Sequence, residues 1–283
     1  MFLRLESTAH GRALLATQAI PTDTLVHTCE APYASVVQRN FRKEVCGFCF
    51  AYSFDVGRCT WNVRSAAAPG VWFCGDACQD IWDTRENVDG IIGLSNSSIE
   101  KAVARMRKNQ AKIPAQAPTT HHHDVSRTKL DSGWESAEKY KQNITDAVLL
   151  NDTELDIARL AADAIVRRYI EDNPPSGAIH RHPRWAEFMD LQDNELPLVQ
   201  TRPYIFESYL RVYQFLRSAL PPVLQAYLVS SDTVRTTLAC VSGNAIGIWQ
   251  LSPTTDDGEM FGWGVYISGA YFNHSMCSAQ PMC

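Results

Sequence analysis

The stretch CGFCFAYSFDVGRCTWNVRSAAAPGVWFCGDAC, residues 46–78, holds five of the nine cysteines in the 283-residue chain. Two close pairs stand at its ends, Cys46 with Cys49 and Cys74 with Cys78. Zinc takes four ligands in a tetrahedron and thiolates suit it, so each pair can supply one edge of a site that the intervening loop closes. Aromatic density is high here and the density of large aliphatic residues is low, as is typical of a module too small for an ordinary core. The stretch therefore predicts a small zinc finger.

The same cysteines have two plainer interpretations, as reduced buried thiols or as disulfides. Disulfides are disfavoured because the cysteine count is odd and because residues 1–11 contain no apolar signal-peptide core. Cys78 is expected on the first turn of a helix, near its positive end. Cys59 is either a spare buried thiol or the remnant of a second site, for which we find no further ligands nearby. We predict one structural zinc without an open catalytic position.

Composition bounds the remaining function classes. Hydrophobic residues make up 45% and charged residues 20%, an ordinary globular mixture, and the formal net charge is -5. That charge argues against direct nucleic-acid binding. The sequence has no run of about 18 apolar residues, so we expect no membrane span.

Both flanks of the chain have the texture of short strands separated by turns. Residues 1–45 and 237–283 carry short apolar runs, whereas residues 83–236 have mostly helical spacing. The class predicted is α+β, with a split β-rich domain interrupted by the finger at 46–82 and by a helical insertion. The predicted strand runs are Leu14–Ala16, Thr24–Val26, Tyr33–Val37, Ala245–Trp249 and Gly264–Ile267.

The helical middle contains its own signals for where helices begin and end. Residues Thr153 to Asp156 resemble a capping box, and Asn173-Pro174-Pro175 predicts the end of that helix. A second helix is predicted from Tyr204 to Leu220. Residues 112–132 contain prolines and the run His121-His122-His123, which indicate a mobile loop, with adventitious metal binding by the histidines as the alternative. A helical-repeat scaffold is a weaker interpretation, since we find no fixed period.

The zinc stretch resembles a MYND finger. It has a C-x2-C knuckle, a loop, and then the segment Trp72-Phe73-Cys74-Gly75-Asp76-Ala77-Cys78-Gln79. In that family two zinc ions are held in a cross-brace, and the resemblance assigns one of them to Cys46, Cys49, Cys74 and Cys78. The late ligands of the second ion have no counterpart around Trp82–Glu86, so the finger is interpreted as degenerate, with one zinc.

The flanks resemble a split SET domain. His10-Gly11-Arg12-Ala13-Leu14 resembles the opening motif, with Ala13 where the family usually has glycine. Gly243-Asn244-Ala245 resembles the core asparagine segment, and Tyr271-Phe272-Asn273-His274-Ser275 resembles the N-H-S-C motif. The order of a SET start, a MYND insertion, a helical insertion and a SET core also agrees with the family, and these segments cover over a third of the chain.

SET enzymes transfer a methyl group from S-adenosylmethionine to a protein lysine. The resemblance implies that Asn273 and His274 contact this cofactor and that Gly11, Arg12 and Ala13 approach it with their main chain. It also implies that Tyr271 and Phe272 help to line the lysine channel. The plainer interpretations are that the Asn-His pair satisfies buried backbone groups and that the Tyr-Phe pair is ordinary core.

The family continues beyond N-H-S with C-x-P-N, further strands and a segment that supplies the catalytic tyrosine. Here Met276 to Cys283 departs from that pattern, and no such tyrosine segment is found. Two hypotheses follow. One is a SET-type protein-lysine methyltransferase that is inactive as this chain stands; the other is a non-catalytic, zinc-dependent interaction module on a SET remnant.

The partner expected by resemblance is a protein or peptide substrate, with a histone or a non-histone lysine as the acceptor. We expect a monomer that is located in the nucleus, the cytoplasm or both.

Overall fold

The structure is a computed structural model that describes residues 3–8, 11–29, 31–54, 60–110, 125–140, 148–174, 183–249 and 258–272. Within these residues the α+β class is confirmed, with seven strands and eight α-helices. The strands are β1 (Leu3–Thr8), β2 (Gly11–Ala16), β3 (Ala34–Val37), β4 (Val63–Arg64), β5 (Trp72–Phe73), β6 (Ile246–Trp249) and β7 (Met260–Val265). The helices are α1 (Asp76–Arg85), α2 (Ile91–Gln110), α3 (Arg127–Lys139), α4 (Asp152–Asp172), α5 (Trp185–Met189), α6 (Glu195–Thr201), α7 (Tyr204–Ala219) and α8 (Asp232–Asn244).

The strands form three small antiparallel sheets. One is the hairpin of β1 and β2, and another pairs β4 with β5 between the two cysteine pairs. The third has the order β3-β7-β6 and joins a strand from the first part of the chain to two from the last part. The finger and the helical middle therefore lie, in sequence, between two strands of the same three-stranded sheet.

Helix α4 is the centre of the packing. Its sequence alternates alanines with large aliphatic residues, and Leu160, Ala161 and Ile165 are fully buried. One face packs in a helical core with α2 and α7, whose Tyr213 and Leu216 are also buried. The other face lies on β3, where the Asp163 carboxylate accepts a hydrogen bond from the Ser35 amide at 2.8 Å. α4 thus joins the helical core to the three-stranded sheet.

Several elements differ from the sequence predictions. Residues 24–29 form no strand, and Leu25 is 80% exposed. The loop predicted over 112–132 is wrong at its end, because α3 begins at Arg127 with Ser126 as its cap and buries Leu130. The histidine run 121–123 lies outside the described residues. Helix α8 continues to Asn244, so the strand texture predicted for residues 237–283 from their short apolar runs is wrong at its start; Leu238 and Cys240 are buried on the inner face of the helix.

The capping box of α4 lies two residues before the predicted one. The Asn151 side chain accepts from the Glu154 amide, and the Glu154 carboxylate accepts from the Asn151 amide, each at 2.9 Å. Asp156 cannot close the predicted box, because it is buried and faces Arg42 and Arg159 instead. The predicted ends of α4 and α7 are confirmed at Asp172 and Ala219.

None of the helices in the described segments combines the length and the apolar character that a bilayer span requires.

Candidate functional site

Four thiols converge in the finger. The sulfur atoms of Cys46, Cys49, Cys74 and Cys78 all lie within 4.8 Å of one another. The Cys49–Cys74 sulfur distance is 3.7 Å and the Cys74–Cys78 distance is 3.4 Å. A tetrahedral zinc with bonds of about 2.3 Å requires sulfur atoms about 3.8 Å apart. The donor type, number and spacing therefore fit a closed structural zinc site.

Local backbone hydrogen bonds position the first pair. The Phe50 amide donates to the Cys46 carbonyl at 3.0 Å, which makes a tight turn, and Phe50 itself has a positive φ of 59°. The Gly47 amide donates to the Trp72 carbonyl at 2.7 Å and so joins the knuckle to β5. A side chain at Gly47 would lie 2.6 Å from Val71, which explains why the close approach needs glycine. The ladder of β4 and β5 then carries the chain to the second pair.

Helix α1 positions the second pair. It begins at Asp76 with Gly75 as its cap, so Cys78 lies in the first turn, as predicted from the sequence. There a thiolate is near the positive end of the helix dipole. Phe73 and Trp82 pack behind the pair at a ring distance of 5.5 Å. The aromatic residues of the finger thus supply its small core.

The thiol pKa values indicate a site that needs a cation. Burial raises the pKa of Cys49, Cys74 and Cys78 to about 11. Burial opposes ionisation of Cys46 too, but backbone hydrogen bonds from Cys49, Cys74 and Phe48 outweigh it and lower the Cys46 pKa. Zinc binds thiolates, so it would displace the remaining protons on binding.

This cluster is the single convergent group of three or more His, Cys, Asp or Glu donors among the described residues. Cys59 lies outside the described residues, so the expectation that it is a spare thiol or a remnant ligand stays a prediction.

A second constellation joins the opening motif to the end of the described chain. The Leu14 amide of β2 donates to the Tyr271 carbonyl at 2.9 Å. The Arg12 guanidinium lies 5.4 Å from the centre of the Tyr271 ring, and Asp190 lies 3.8 Å from the same guanidinium. The structure therefore brings Arg12 and Tyr271 together, and it adds Asp190 from the end of α5, which sequence reasoning missed.

Ala13 fits this strand without strain. It is extended within β2, opposite Glu6, its side chain is 3% exposed, and its φ is not positive. Its methyl group thus belongs to the packed side of the hairpin, and nothing in the local backbone requires the glycine that the opening motif usually has. Gly11 pairs with Thr8 at the turn end of the same hairpin.

Phe272 contacts a group of polar side chains from a different part of the sequence. Its ring lies 5.5 Å from the His27 ring, and His27 Nε2 is 2.8 Å from the Ser268 hydroxyl. That hydroxyl donates to the Cys29 sulfur at 3.6 Å. No sequence signal pointed to His27 or Ser268, because they are 241 positions apart. Asn273 and His274 lie outside the described residues, and their roles stay predictions.

Asn244 has a structural environment. At the end of α8 its side-chain amide donates to the carbonyls of Cys240 at 2.7 Å and Gln192 at 3.0 Å. Both bonds satisfy carbonyls at a helix end or in a turn, which is the ordinary work of an asparagine there.

A cleft of about 600 Å³ separates the finger from α4 and β3. Its finger wall includes Phe48, Phe50 and Trp72, and its other wall includes side chains of α2 and α4. Charged side chains at the base of the cleft form ion pairs. These pairs join Arg42 and Arg159 to Glu100 at 3.2 and 2.8 Å, and Arg167 to Glu86 at 3.0 Å.

Burial, reinforced by Arg159, lowers the pKa of Arg42 to about 10. Burial alone would raise the pKa of Glu100, but Arg159 and Arg42 lower it. The carboxylate therefore holds two guanidiniums that would otherwise repel each other.

Comparison with known proteins gives one relevant similarity. The chain is 26% identical over 292 aligned residues to the potential protein lysine methyltransferase SET6 of Saccharomyces cerevisiae. The alignment covers 94% of this chain and 76% of the yeast protein. No family model matches the sequence.

Proposed function

We propose that this chain is a SET-type protein of the lysine methyltransferase kind with a zinc finger of one structural zinc. The observation that carries the proposal is the bond from the Leu14 amide to the Tyr271 carbonyl. It joins the opening motif to the residues immediately before Asn273 and His274. The similarity to a potential lysine methyltransferase along nearly the whole chain supports the same proposal.

The proposed cofactor is S-adenosylmethionine, which supplies an electrophilic methyl group when bound. We propose that the main chain of Gly11 to Ala13 and the side chains of Asn273 and His274 hold it. The extended backbone at Ala13 is compatible with that role, since it leaves the strand free of a side-chain clash.

Tyr271 and Phe272 are the proposed lining of the lysine channel. Both are half-buried, and each has a ring or cation against it, Arg12 for Tyr271 and His27 for Phe272. A lysine must be neutral to act as a nucleophile, and apolar surroundings lower the pKa of an amine by disfavouring its charged form. Aromatic walls supply those surroundings and also favour a cationic sulfonium nearby.

A second candidate function is a non-catalytic, zinc-dependent interaction module on a SET remnant. The observation that favours it is the convergence of all four finger thiols, which needs no cofactor. Partner binding would then depend on zinc and not on S-adenosylmethionine.

Titration calorimetry with S-adenosylmethionine separates the two. The methyltransferase proposal expects saturable binding to the zinc-loaded chain that is weakened by His274→Ala and unaffected by Arg105→Glu at an exposed position of α2. A radiolabelled methyl-transfer assay on histone and non-histone proteins then tests turnover. Absence of cofactor binding to a chain with full zinc content would leave the interaction-module function.

A further inference from the structure

Trp72 carries an unusual charge environment for a residue in a cleft wall. The Lys43 ammonium lies 5.9 Å from the centre of its ring, and the Arg64 guanidinium lies 5.7 Å from it. Arg64 is directly opposite Trp72 in the ladder of β4 and β5, and both cationic side chains are exposed. An indole ring and two cations thus form one surface beside the cleft, which we call the Trp72 surface.

Neither cation of this surface has a carboxylate partner in the part of the chain that the structure describes. Among the residues that the structure describes, no Asp or Glu lies within ion-pair distance of Lys43 or Arg64. The cleft arginines differ, because Arg42, Arg159 and Arg167 are each paired with a glutamate. The chain as a whole has a net charge of -5, so unpaired cations here do not reflect a general surplus.

The adjoining cleft wall is apolar. Phe48, Phe50 and Val71 line it beside Trp72, and its volume of about 600 Å³ lies in the range of ligand-binding cavities. A half-buried aromatic side chain flanked by cations has a composition that is enriched in interface hot spots. The surface therefore offers an apolar contact and two positive charges at adjacent points.

We propose that the Trp72 surface and the adjoining cleft bind an acidic peptide segment of a partner protein. An apolar side chain of the segment enters the cleft against Phe48 and Trp72, and its carboxylates meet Lys43 and Arg64. This binding requires a folded finger but neither the cofactor nor methyl transfer. It is therefore separate from the proposed methyltransferase function, and it rests on the second candidate function, for which it names the partner class.

The cleft favours a peptide over a nucleic acid. The arginines of its opposite wall are already paired with Glu100 and Glu86, so they do not form a row of available cations for a continuous phosphate backbone. Two cations can pair with one or two carboxylates, whereas nucleic-acid surfaces use longer rows of Lys and Arg.

Fluorescence anisotropy with the zinc-loaded full chain tests the proposal. The probe is a fluorescein-labelled peptide of sequence Glu-Leu-Glu-Ser-Glu-Leu-Glu, and the comparison probes carry lysine in place of each glutamate or are labelled oligothymidine. We expect saturable binding of the acidic peptide that weakens as salt is raised, with much weaker binding of the lysine peptide.

The double variant Lys43→Glu/Arg64→Glu should weaken binding of the acidic peptide about tenfold or more, since it replaces two attractions by two repulsions. Arg105→Glu, at an exposed position of α2 with no ion pair to another described residue, is the control and should change binding less than about twofold. Zinc content and thermal melting of each variant establish that the finger is folded.

Three results would overturn the proposal. They are equal binding of acidic and basic peptides, an unchanged affinity in the zinc-loaded double variant, and selective binding of oligothymidine. The last would identify the Trp72 surface as a nucleic-acid site. None of these results depends on whether S-adenosylmethionine binds.

Discussion

At the scale of single residues, burial keeps most of the finger cysteines protonated, whereas their sulfur atoms are spaced for a metal ion that binds thiolates. Three of them have their pKa raised to about 11 by burial, so in the absence of a cation they hold protons at neutral pH. Their sulfur atoms are nevertheless at the spacing of a zinc tetrahedron. A divalent cation resolves this conflict, because its charge stabilises all four thiolates together.

We therefore expect about one zinc per purified chain, the number that four thiolates hold. Cys74→Ser should abolish tight zinc binding and lower the melting temperature, since a serine hydroxyl is a poor zinc ligand. Mass spectrometry for metal content and thermal denaturation measure the two effects. Cys29→Ser is the control, because Cys29 lies outside the cluster and should leave zinc content unchanged. Two zinc ions per chain would contradict the interpretation of a degenerate finger.

Glu195 is a second residue whose contribution can be isolated. It is 1% exposed, and its carboxylate accepts from Arg127 at 2.9 Å, from Arg235 at 2.7 Å and from the Trp134 indole at 2.6 Å. This one carboxylate ties α6 to α3 and α8. A buried acid with this many donors is stabilising only while every partner is present.

Glu195→Gln should lower the free energy of unfolding by about 2–4 kcal/mol, because it leaves two guanidiniums without their buried anion. Glu135→Gln is the matched control, since Glu135 forms an exposed pair with Lys139 at 3.4 Å on α3. It should cost less than about 1 kcal/mol. Urea denaturation measures both, and equal losses would show that the Glu195 cluster adds no stability.

At the scale of elements, α7 depends on neutral buried phenols. Tyr209 donates to the Leu238 carbonyl at 3.4 Å and Tyr213 donates to the Leu228 carbonyl at 3.1 Å. Burial raises the pKa of both to about 12, with Glu195 adding to the effect at Tyr209. The phenols therefore favour the folded state fully below their ordinary pKa of about 10 and lose that contribution as the pH rises toward 12.

The free energy of unfolding in urea should consequently fall as pH is raised from 9 to 11, beyond the loss caused by other groups. Tyr209→Phe should make this fall shallower, since one buried titrating group is gone. Tyr204→Phe on the same helix is the control, because Tyr204 is 68% exposed and should leave the slope unchanged. An unchanged slope in Tyr209→Phe would show that this phenol is not coupled to unfolding.

The elements also show what sequence patterns could predict. The ends of α4 and α7 were predictable from the prolines that follow them, because a proline restricts the backbone of the residues next to it in sequence. The cap of α4 was predicted two residues too late, because the box joins Asn151 to Glu154 whereas Asp156 faces Arg42 and Arg159, contacts that local sequence does not contain. The strand texture at residue 237 failed for a similar reason, since Leu238 and Cys240 are buried by tertiary packing and not by a strand partner.

At the scale of the whole molecule, the candidate sites also differ in whether their contacts are local in sequence or depend on the fold. The convergence of the four finger cysteines was predictable because each pair lies within five residues, so local sequence alone brings its two thiols together. The contacts of the opening motif were not. Asp190 reaches Arg12 only because α5 packs near the hairpin, and His27 reaches Ser268 across most of the chain. Fold-dependent neighbours of this kind have no local signal.

The finger packs closely against the start of α2, and we call the contact between Gly93 and the Ala67 backbone, with its surroundings, the seam. Gly93, in the first turn of α2, lies so close to the finger that a side chain there would be 2.3 Å from the Ala67 carbonyl oxygen. The Gly93 amide is anchored at 3.0 Å by the buried side chain of Asn87, so the helix start cannot easily shift away. Paired charges at Arg42 and Glu100 hold the neighbouring part of the seam.

Gly93→Ala should therefore weaken the packing of the finger against α2 without unfolding the finger itself. The added methyl group forces the seam apart, at a cost of about 1–3 kcal/mol typical of overpacking, which should lower the melting temperature by roughly 2–4 °C per kcal/mol. Zinc content should stay at the wild-type value, because no ligand moves. Gly75→Ala is the control, since its side chain would meet nothing within 4 Å and its backbone is extended; it should cost under about 1 kcal/mol. A Gly93→Ala variant that melts like the wild type would show that the close contact between Gly93 and Ala67 does not limit stability.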